Sequence, residues 1–204
     1  MQIIPAQLCF RGQRNYLHGS DIYTAIIQNV LNSGSEKNTS IFRMSIHSFA
    51  DQQCAIHLCA KEETPAKPEN TVVEFFIQSD SENLTGWLAK TEHPVTCRIP
   101  YHEDEIQKLC TISGQTITIN KDSKYSPVEV AVSMTKQLHQ SLYPTEPGKW
   151  IGTSRDLHRL LKPNDGSRLQ IKLKHNLNHR LTKSSINVSG ATIGHIYFSL
   201  VMPP

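Results

Sequence analysis

The chain has 204 residues, of which 38% are hydrophobic and 19% are charged, and its net charge is +3. This length and composition predict a globular protein with one large domain or two small ones. No window approaches the ~18 consecutive apolar residues of a membrane-spanning helix, so we expect no membrane span. The opening residues, MQIIP, lack the basic segment and apolar run of a signal peptide, which favours a cytoplasmic location.

The first helix is predicted to begin near Ser20, a suitable N-cap, and to stop at Asn32-Ser33-Gly34. Its apolar residues follow i, i+4 spacing and form one broad face, which is typical of a helix packed against a core. These residues are Ile22, Tyr23, Ile26, Ile27, Val30 and Leu31.

The segment between the two helices is predicted to form strands. Apolar residues alternate in the first two, which carry Phe42 and Ile56, and a nearly continuous apolar run from Thr71 to Gln78 favours a strand buried on both faces. Loops are predicted at Ser33–Thr39, Glu62–Asn70, Ser79–Glu82 and Thr145–Lys149.

The second helix has the stronger start signal. Ser126-Pro127-Val128-Glu129 combines an N-cap Ser, Pro at the first helical position and Glu at the third, the pattern of a capping box. A wide apolar face follows, and Tyr143-Pro144 ends the helix. Beyond it we predict alternating strands around Ile171 and Ile186, a turn at Ser189-Gly190 and a last strand from Thr192 to Met202.

The order of elements repeats. A strand, a long helix and several strands occur once from Gln7 to Arg98 and again from Thr111 to Met202. One apolar helix among several antiparallel strands predicts an α+β fold in which each sheet wraps its helix. We therefore predict an N-terminal unit over residues 1–105 and a C-terminal unit over residues 106–204.

The five cysteines are irregularly spaced, and their odd count without a C-x-x-C pair argues against a disulfide framework or a zinc site. We expect reduced thiols, with Cys9 and Cys110 as small core residues, and neither a metal nor another cofactor. The other three are Cys54, Cys59 and Cys97.

Basic residues are concentrated toward the C-terminus. From Ile151 onward there are eight Lys or Arg and two Asp, a charge of +6, which leaves −3 for the first 150 residues. Such a segment is either a solvated face or a docking surface for an acidic partner. Nucleic acid is not expected, because basic and apolar residues alternate from Arg168 to Lys174 as on the exposed face of a strand.

The second half resembles the hotdog fold of acyl-thioester dehydratases and thioesterases. The resemblance rests on Leu161-Lys162-Pro163-Asn164-Asp165-Gly166, on the alternation from Leu169 to Leu173, and on the hairpin from Ile186 to Val201. The turn here is Asp-Gly where the family has Gly-Asp. The resemblance implies a long helix in a curled antiparallel sheet, and for the whole chain a double hotdog.

The first half is similar to the opening of the A-factor biosynthesis family, in which two hotdog units are fused. The segment Arg14-Asn15-Tyr16-Leu17-His18-Gly19-Ser20-Asp21 carries this likeness, with Gly19 where that family has a basic residue. In the second helix, the family's Gln falls on Gln137, but its catalytic Glu, four residues earlier, falls on Ser133. This departure argues against a dehydratase site at that position.

Candidate site residues follow from these segments. His18, beside Gly19 at the start of a helix, is placed to act as a base or to orient a thioester carbonyl; it is alternatively a loop histidine bonded to the backbone. Asp21 would pair with His18 or merely suit the helix dipole. Arg14 would neutralise a phosphopantetheine phosphate or be an exposed strand residue.

Three residues of the second helix complete the candidate set. Glu129 is either a catalytic carboxylate or simply the capping-box residue. Ser133 and Gln137 are four apart and share a helix face, which would bind a thioester or face solvent. His139 is predicted to be a surface residue, and no histidine shows metal-ligand spacing.

We carry three functional hypotheses forward. The leading one is an enzyme that dehydrates, hydrates or hydrolyses an acyl thioester of an acyl carrier protein or of CoA. The second is a non-catalytic hotdog module that binds an acyl ligand or a carrier protein, and the third is an A-factor-type condensing enzyme. The chain would be a monomer or a homodimer.

Overall fold

The computed structural model describes residues 1–32, 40–60, 63, 65–80 and 82–202. The chain divides into two compact units: residues 1–101 with 158–160, and residues 102–157 with 161–204. The predicted assignment of residues 1–105 and 106–204 to two hotdog units stays a prediction. The predicted helix stop at Ser33-Gly34 and the loop Ser33–Thr39 lie outside the described residues, as does Glu62 of the next predicted loop.

The first unit contains a five-stranded antiparallel sheet in the order β1-β4-β6-β5-β3 and a two-stranded parallel sheet, β2-β7. Its elements are β1 Gln2–Ala6, β2 Phe10–Arg11, α1 Gly19–Asn32, β3 Ile41–Ile46, β4 Gln52–Ala60, β5 Thr71–Gln78, β6 Asn83–Pro94 and β7 Arg98–Ile99.

Helix α1 packs on the first sheet through its apolar face. Ile22, Tyr23, Ile26 and Val30 are all buried, and the Tyr23 ring meets Phe42 of β3 edge-on at 5.1 Å. The predicted face is therefore the packed face. The helix begins one residue before the predicted start.

Strand β5 was predicted to be buried on both faces, and this is wrong. Phe75 and Ile77 are buried, whereas Glu74 and Phe76, which alternate with them, are partly exposed. The apolar run misleads because Phe76 lies on the outer face, beside Arg43 and Thr85 in the sheet register.

The second unit contains six antiparallel strands in the order β10-β13-β12-β11-β9-β8. Its elements are α2 Glu103–Gln107, β8 Cys110–Ser113, β9 Thr116–Ile119, α3 Pro127–Leu142, β10 Lys149–Leu157, a 3-10 turn Pro163–Asp165, β11 Leu169–Leu177, β12 Leu181–Val188 and β13 Ala191–Val201.

Helix α3 lies against β9, β10 and β11 and also contacts α2. The contact with α2 includes an ion pair of 2.7 Å between Lys136 and Glu103. The sheet is not strongly curled, so the predicted wrapping of each helix by its sheet is not confirmed.

The β12–β13 hairpin has the predicted turn. Val188 pairs with Ala191, and the two residues between them, Ser189 and Gly190, both have positive φ, at 49° and 85°. A two-residue loop with this geometry matches the twist of the strands it joins, which explains the glycine.

Cys9 and Cys97 form a disulfide, so the prediction of reduced thiols throughout is wrong for this pair. The bond joins the segments next to β2 and β7, two strands that pair with each other through only two residues each. An odd cysteine count could not reveal it, because the two residues are 88 positions apart. Cys54 and Cys59 are free and buried, and Cys110 is free and half-buried.

Candidate functional site

His18 immediately precedes α1 and is buried, with 8% of its surface exposed. Its carbonyl oxygen accepts hydrogen bonds from the backbone N–H groups of Asp21 and Ile22 at 3.0 and 3.1 Å. It thereby pairs two N–H groups of the first helical turn. Its Nδ1 lies 2.7 Å from Oγ of Ser20. Ser20 is thus inside the helix and orients the imidazole, instead of capping the helix as predicted.

Asp21 is bound by Arg11 of β2. The guanidinium donates to both carboxylate oxygens, from Nε to Oδ2 and from Nη2 to Oδ1, each at 2.6 Å. Both side chains are about one-seventh exposed, at 14% and 15%, which makes this a largely desolvated bidentate pair. The predicted pairing of Asp21 with His18 is therefore replaced by an ion pair that ties β2 to α1.

Arg14 lies over the ring of Tyr101, with its Cζ 4.4 Å from the ring centroid, and the His18 ring lies 5.0 Å from the same centroid. Arg14 is half-buried in a loop, not on an exposed strand as the alternative predicted. Such stacking holds the guanidinium in place over the ring. Gly19 is the first residue of α1.

The loop that carries Arg14 is held by Arg98, the residue after the disulfide cysteine Cys97. Arg98 donates to the carbonyl oxygens of Gly12 and Arg14 at 2.7 Å each, and to Oδ1 of Asn15 at 2.9 Å. No periodicity or motif points to Arg98 or Tyr101, because both act on a loop more than 80 residues earlier.

In the second unit, the predicted residues Glu129, Ser133 and Gln137 form a polar stripe on one side of α3. Glu129 is 5% exposed, and its backbone N–H donates to Oγ of the N-cap Ser126 at 3.4 Å, so the predicted cap is present. Spacing by four residues sets the three side chains roughly one above another along the helix.

Two atoms of this stripe have unused hydrogen-bonding capacity. Oγ of Ser133 is fully buried and has no partner among the described residues. Nε2 of Gln137 donates to the carbonyl of Gln107 in α2 at 3.3 Å, but its buried Oε1 accepts from no donor within the described part of the chain. Buried polar groups are almost always paired in native proteins, so these two atoms, one turn apart, make the stripe a candidate binding position.

Arg155 is a buried cation that the sequence analysis did not single out. It is 3% exposed, and its register opposite Ile196 places it on the side of the second sheet that faces α3. A bulge between Gly152 and Ser154 breaks the alternation of β10. The sequence pattern alone therefore does not predict which face of the sheet Arg155 lies on.

His139 was predicted to be a surface residue, and this is wrong, because its side chain is fully buried. Its Nδ1 donates to the carbonyl of Thr135 and its Nε2 meets Oγ1 of Thr182 in β12, each at 2.6 Å. The ring also packs against Trp150 and Phe198, at 4.5 and 5.5 Å between centroids. A polar residue of α3 is tolerated here because a strand side chain satisfies it.

Burial lowers the pKa of His139 below its ordinary value, against a smaller opposite effect of the Thr135 carbonyl. The folded protein therefore keeps this imidazole neutral at pH values where the unfolded chain, with a histidine pKa of about 6.5, takes up a proton. We expect the free energy of unfolding to fall as pH drops below about 6.5, by at most about 1.4 kcal/mol per pH unit from this group.

The measurement is urea unfolding of wild type and His139→Gln between pH 5 and 8. Their difference in unfolding free energy should be constant at the alkaline end and shrink toward the acid end, since only wild type loses this contribution. Parallel curves across the range would contradict the neutral buried ring. Contributions common to the two proteins cancel in the difference.

Among the described residues, no group of three or more His, Cys, Asp and Glu side chains is placed to hold a metal ion. The same part of the chain contains no helix of the length and apolarity that crossing a bilayer requires.

No protein-family model matches the sequence, and no curated protein matches it. Solved structures do. The tesB protein of Mycobacterium avium subsp. paratuberculosis has a TM-score of 0.52 at 10% identity, over 99% of this chain and 93% of its own. A protein assigned as a thioesterase II from Thermobifida fusca YX has a TM-score of 0.50 at 11% identity, over 96% of each chain.

These two structures are hotdog-fold proteins, and the likeness shows that this chain has a hotdog-like fold with a large antiparallel sheet and few helices. A double hotdog is consistent with a match over 99% of the chain. The resemblance inferred from the hairpin and the Asp-Gly turn is confirmed at the level of the fold.

Proposed function

We propose that this protein binds acyl thioesters, carried by an acyl carrier protein or by CoA, and processes them by dehydration, hydration or hydrolysis. The observation that carries the proposal is the unpaired, fully buried hydroxyl of Ser133 on a helix of a hotdog-like fold. A cytoplasmic location, where such thioesters are made and used, belongs to the same proposal.

The polar stripe suits a thioester arm. The Ser133 hydroxyl can donate to the thioester carbonyl, and Oε1 of Gln137 can accept from an amide N–H of the pantetheine chain. Residues four apart on a helix are separated by about 6 Å along its axis, which is comparable to the spacing of polar groups along that chain. Binding would satisfy two groups whose burial otherwise costs stability.

Proton transfer is assigned to His18 and Glu129, each within its own unit. An imidazole held by Ser20 can take a proton from the acyl chain or from water, and Glu129 is the carboxylate of the stripe. Asp21 is not proposed as the partner base, because Arg11 already occupies both of its oxygens. Arg155 would stabilise negative charge that develops on the thioester oxygen.

Arg14 and Gly19 belong to binding in this proposal. Arg14, held over Tyr101, would neutralise a phosphate of the phosphopantetheine or CoA moiety. Gly19, which has no side chain, would let a ligand approach the start of α1, where the helix dipole favours negative charge.

A non-catalytic binding module is the second candidate. Two observations favour it: Ser133 stands where the related families place a carboxylate, and Asp21 is neutralised by Arg11. A hydroxyl can orient a thioester but does not act as an acid or base near neutral pH. This module would bind the same acyl thioesters without converting them.

Ser133→Ala tests the proposed binding role through two measurements of opposite sign. Removing an unpaired buried hydroxyl should raise the free energy of unfolding by about 1 kcal/mol. It should also weaken binding of a non-hydrolysable acyl-CoA thioether, measured by calorimetry, by about tenfold, the equivalent of about 1.4 kcal/mol.

Ser184→Ala is the matched control. Its hydroxyl is also fully buried and without a partner among the described residues, but it lies on β12, two residues from Thr182 and off the stripe. We expect a similar gain in stability with unchanged thioether affinity. Unchanged affinity in Ser133→Ala itself would show that the stripe does not bind the thioester.

Turnover separates the two candidates. Wild type, His18→Asn and Glu129→Gln are assayed with crotonyl, 3-hydroxyacyl and long acyl thioesters, and folding of each variant is checked by circular dichroism. The enzyme predicts losses of about a hundredfold or more in kcat for both variants, the usual size of an acid–base contribution. The binding module predicts thioether binding with no turnover by any of the three proteins.

A further inference from the structure

The outer face of the second sheet is the face turned away from α3. Thr182 of β12 bonds His139 of α3 and therefore lies on the inner face. Successive side chains of a strand point to opposite faces, so Leu181 and Lys183, on either side of Thr182, lie on the outer face.

The strand register places further residues beside them, since directly opposed residues of antiparallel strands share a face. Leu181 is opposite Leu177, Lys183 is opposite both His175 and Tyr197, and Lys172 is opposite Ser185. We name the following six residues the outer patch: Lys172, His175, Leu177, Leu181, Lys183 and Tyr197.

The outer patch is largely exposed and is apolar at its end beside the β11–β12 turn. Leu177 and Leu181, which face each other across the hairpin, are 65% and 42% exposed, so a cross-strand leucine pair stands largely in water. Nζ of Lys183 lies 5.8 Å from the centroid of the Tyr197 ring. Exposed apolar side chains with a polar rim are characteristic of interaction sites.

The charged residues of β11, β12 and their connecting turn are all basic, and one carboxylate approaches them, that of Glu146, 3.7 Å from Nδ1 of His179 in the turn. From Gly166 to the end of the chain there is no Asp or Glu, whereas five Lys or Arg lie there: Arg168, Lys172, Lys174, Arg180 and Lys183. Asp156 of β10 faces the same side opposite His195, but β10 is separated from β12 by β13. The field over β11 and β12 therefore favours an anionic partner.

We propose that the outer patch docks an acidic amphipathic helix of a protein partner, namely the carrier protein that bears the thioester. The inference rests on the proposed function and selects carrier-bound over free CoA substrates. Three neighbouring strands, β11 to β13, span about 10 Å, close to the diameter of one helix. A helix with an apolar stripe would cover the leucine pair while its carboxylates meet Lys172 and Lys183.

The test measures binding of a holo acyl carrier protein to the full chain by calorimetry at low and high salt. Lys172→Glu/Lys183→Glu is expected to weaken binding by about tenfold or more, and Leu177→Ser/Leu181→Ser by severalfold. Wild-type affinity should fall as salt rises. Lys108→Glu/Lys121→Glu, on exposed lysines elsewhere in the second unit, makes the same change in net charge and should keep wild-type affinity.

Several outcomes overturn the inference: no carrier binding by wild type, equal loss in the control variant, or an insensitive leucine variant. Two further results overturn it when the patch variants still bind the carrier protein. In the first, these variants no longer sediment with vesicles of anionic phospholipid; in the second, they no longer self-associate in light scattering. Binding of the acyl-CoA thioether is measured in parallel. If wild type binds the carrier protein but not the thioether, the proposed function is overturned and the docking inference is not. If wild type binds the thioether but not the carrier protein, only the docking inference is overturned.

Discussion

Reduction of the Cys9–Cys97 disulfide is expected to lower the free energy of unfolding of the first unit by about 2–5 kcal/mol. The bond joins residues 88 positions apart, so in the unfolded state it restricts nearly the whole chain of that unit. Longer closed loops lose more conformational entropy in the unfolded state, and the expected effect is therefore at the upper end of the usual range.

The disulfide also bears on the candidate site. The residues next to it, Phe10 and Arg98, pair in the short β2–β7 ladder, and Arg98 holds the loop that carries Arg14. Without the covalent bond, this loop is held only by the two residue pairs between β2 and β7 and by the hydrogen bonds of Arg98. We expect amide hydrogen exchange to rise first in residues 10–18, where His18 is positioned.

Urea unfolding of oxidised wild type, with and without dithiothreitol, measures the effect. Cys9→Ser/Cys97→Ser should match reduced wild type and not respond to the reductant, whereas Cys110→Ser, which removes a free thiol, should respond like wild type. Cys97 is exposed, so the reductant can reach the bond. An unchanged unfolding midpoint, or five alkylated thiols in the unreduced protein, would contradict the prediction.

Local signals explain which parts of the fold could be predicted. The second helix begins at Pro127 because Ser126 caps it, and the last hairpin turns at Ser189-Gly190 because two positive-φ residues are needed there. Each feature depends on residues adjacent in sequence. Strands β6 and β10 were missed because their inner faces are irregular: Gly86 of β6 is covered by the Phe75 ring, and β10 is bulged.

The residues of the candidate site were predictable from local sequence signals, whereas their contacts were not. His18, Glu129, Ser133 and Gln137 were found from helix starts, i, i+4 spacing and the family resemblance of their segments, all of which depend on residues close together in sequence. Their surroundings were not, because Tyr101 and Arg98 reach the His18 loop from the far end of the first unit. His139 was misassigned for the same reason: its partner Thr182 is 43 residues away, and a helix pattern alone makes any polar residue look exposed.

Gly194→Ala is expected to be among the most destabilising single substitutions in the second unit. Gly194 of β13 is opposite Leu157, the last residue of β10, and has a φ of 156°. A Cβ at this position would overlap the carbonyl oxygen of Asp156 and lie 2.7 Å from Cα of Leu157. Both obstacles are backbone atoms, so relief requires the two strands to separate.

The expected loss is about 3 kcal/mol, combining the strain of an L-residue at this φ with overpacking against a neighbouring strand. Gly190→Ala isolates the two terms, because Gly190 also has positive φ, at 85°, but nothing lies within 4 Å of its Cβ position. It should cost about 1 kcal/mol. Urea unfolding measures both, and hydrogen exchange should show β10 losing protection only in Gly194→Ala.

Equal stability of the two variants would mean that β10 does not approach β13 this closely. The burial of Trp150 against His139 and the inward position of Arg155 would then lose their structural basis, because β10 supplies both residues.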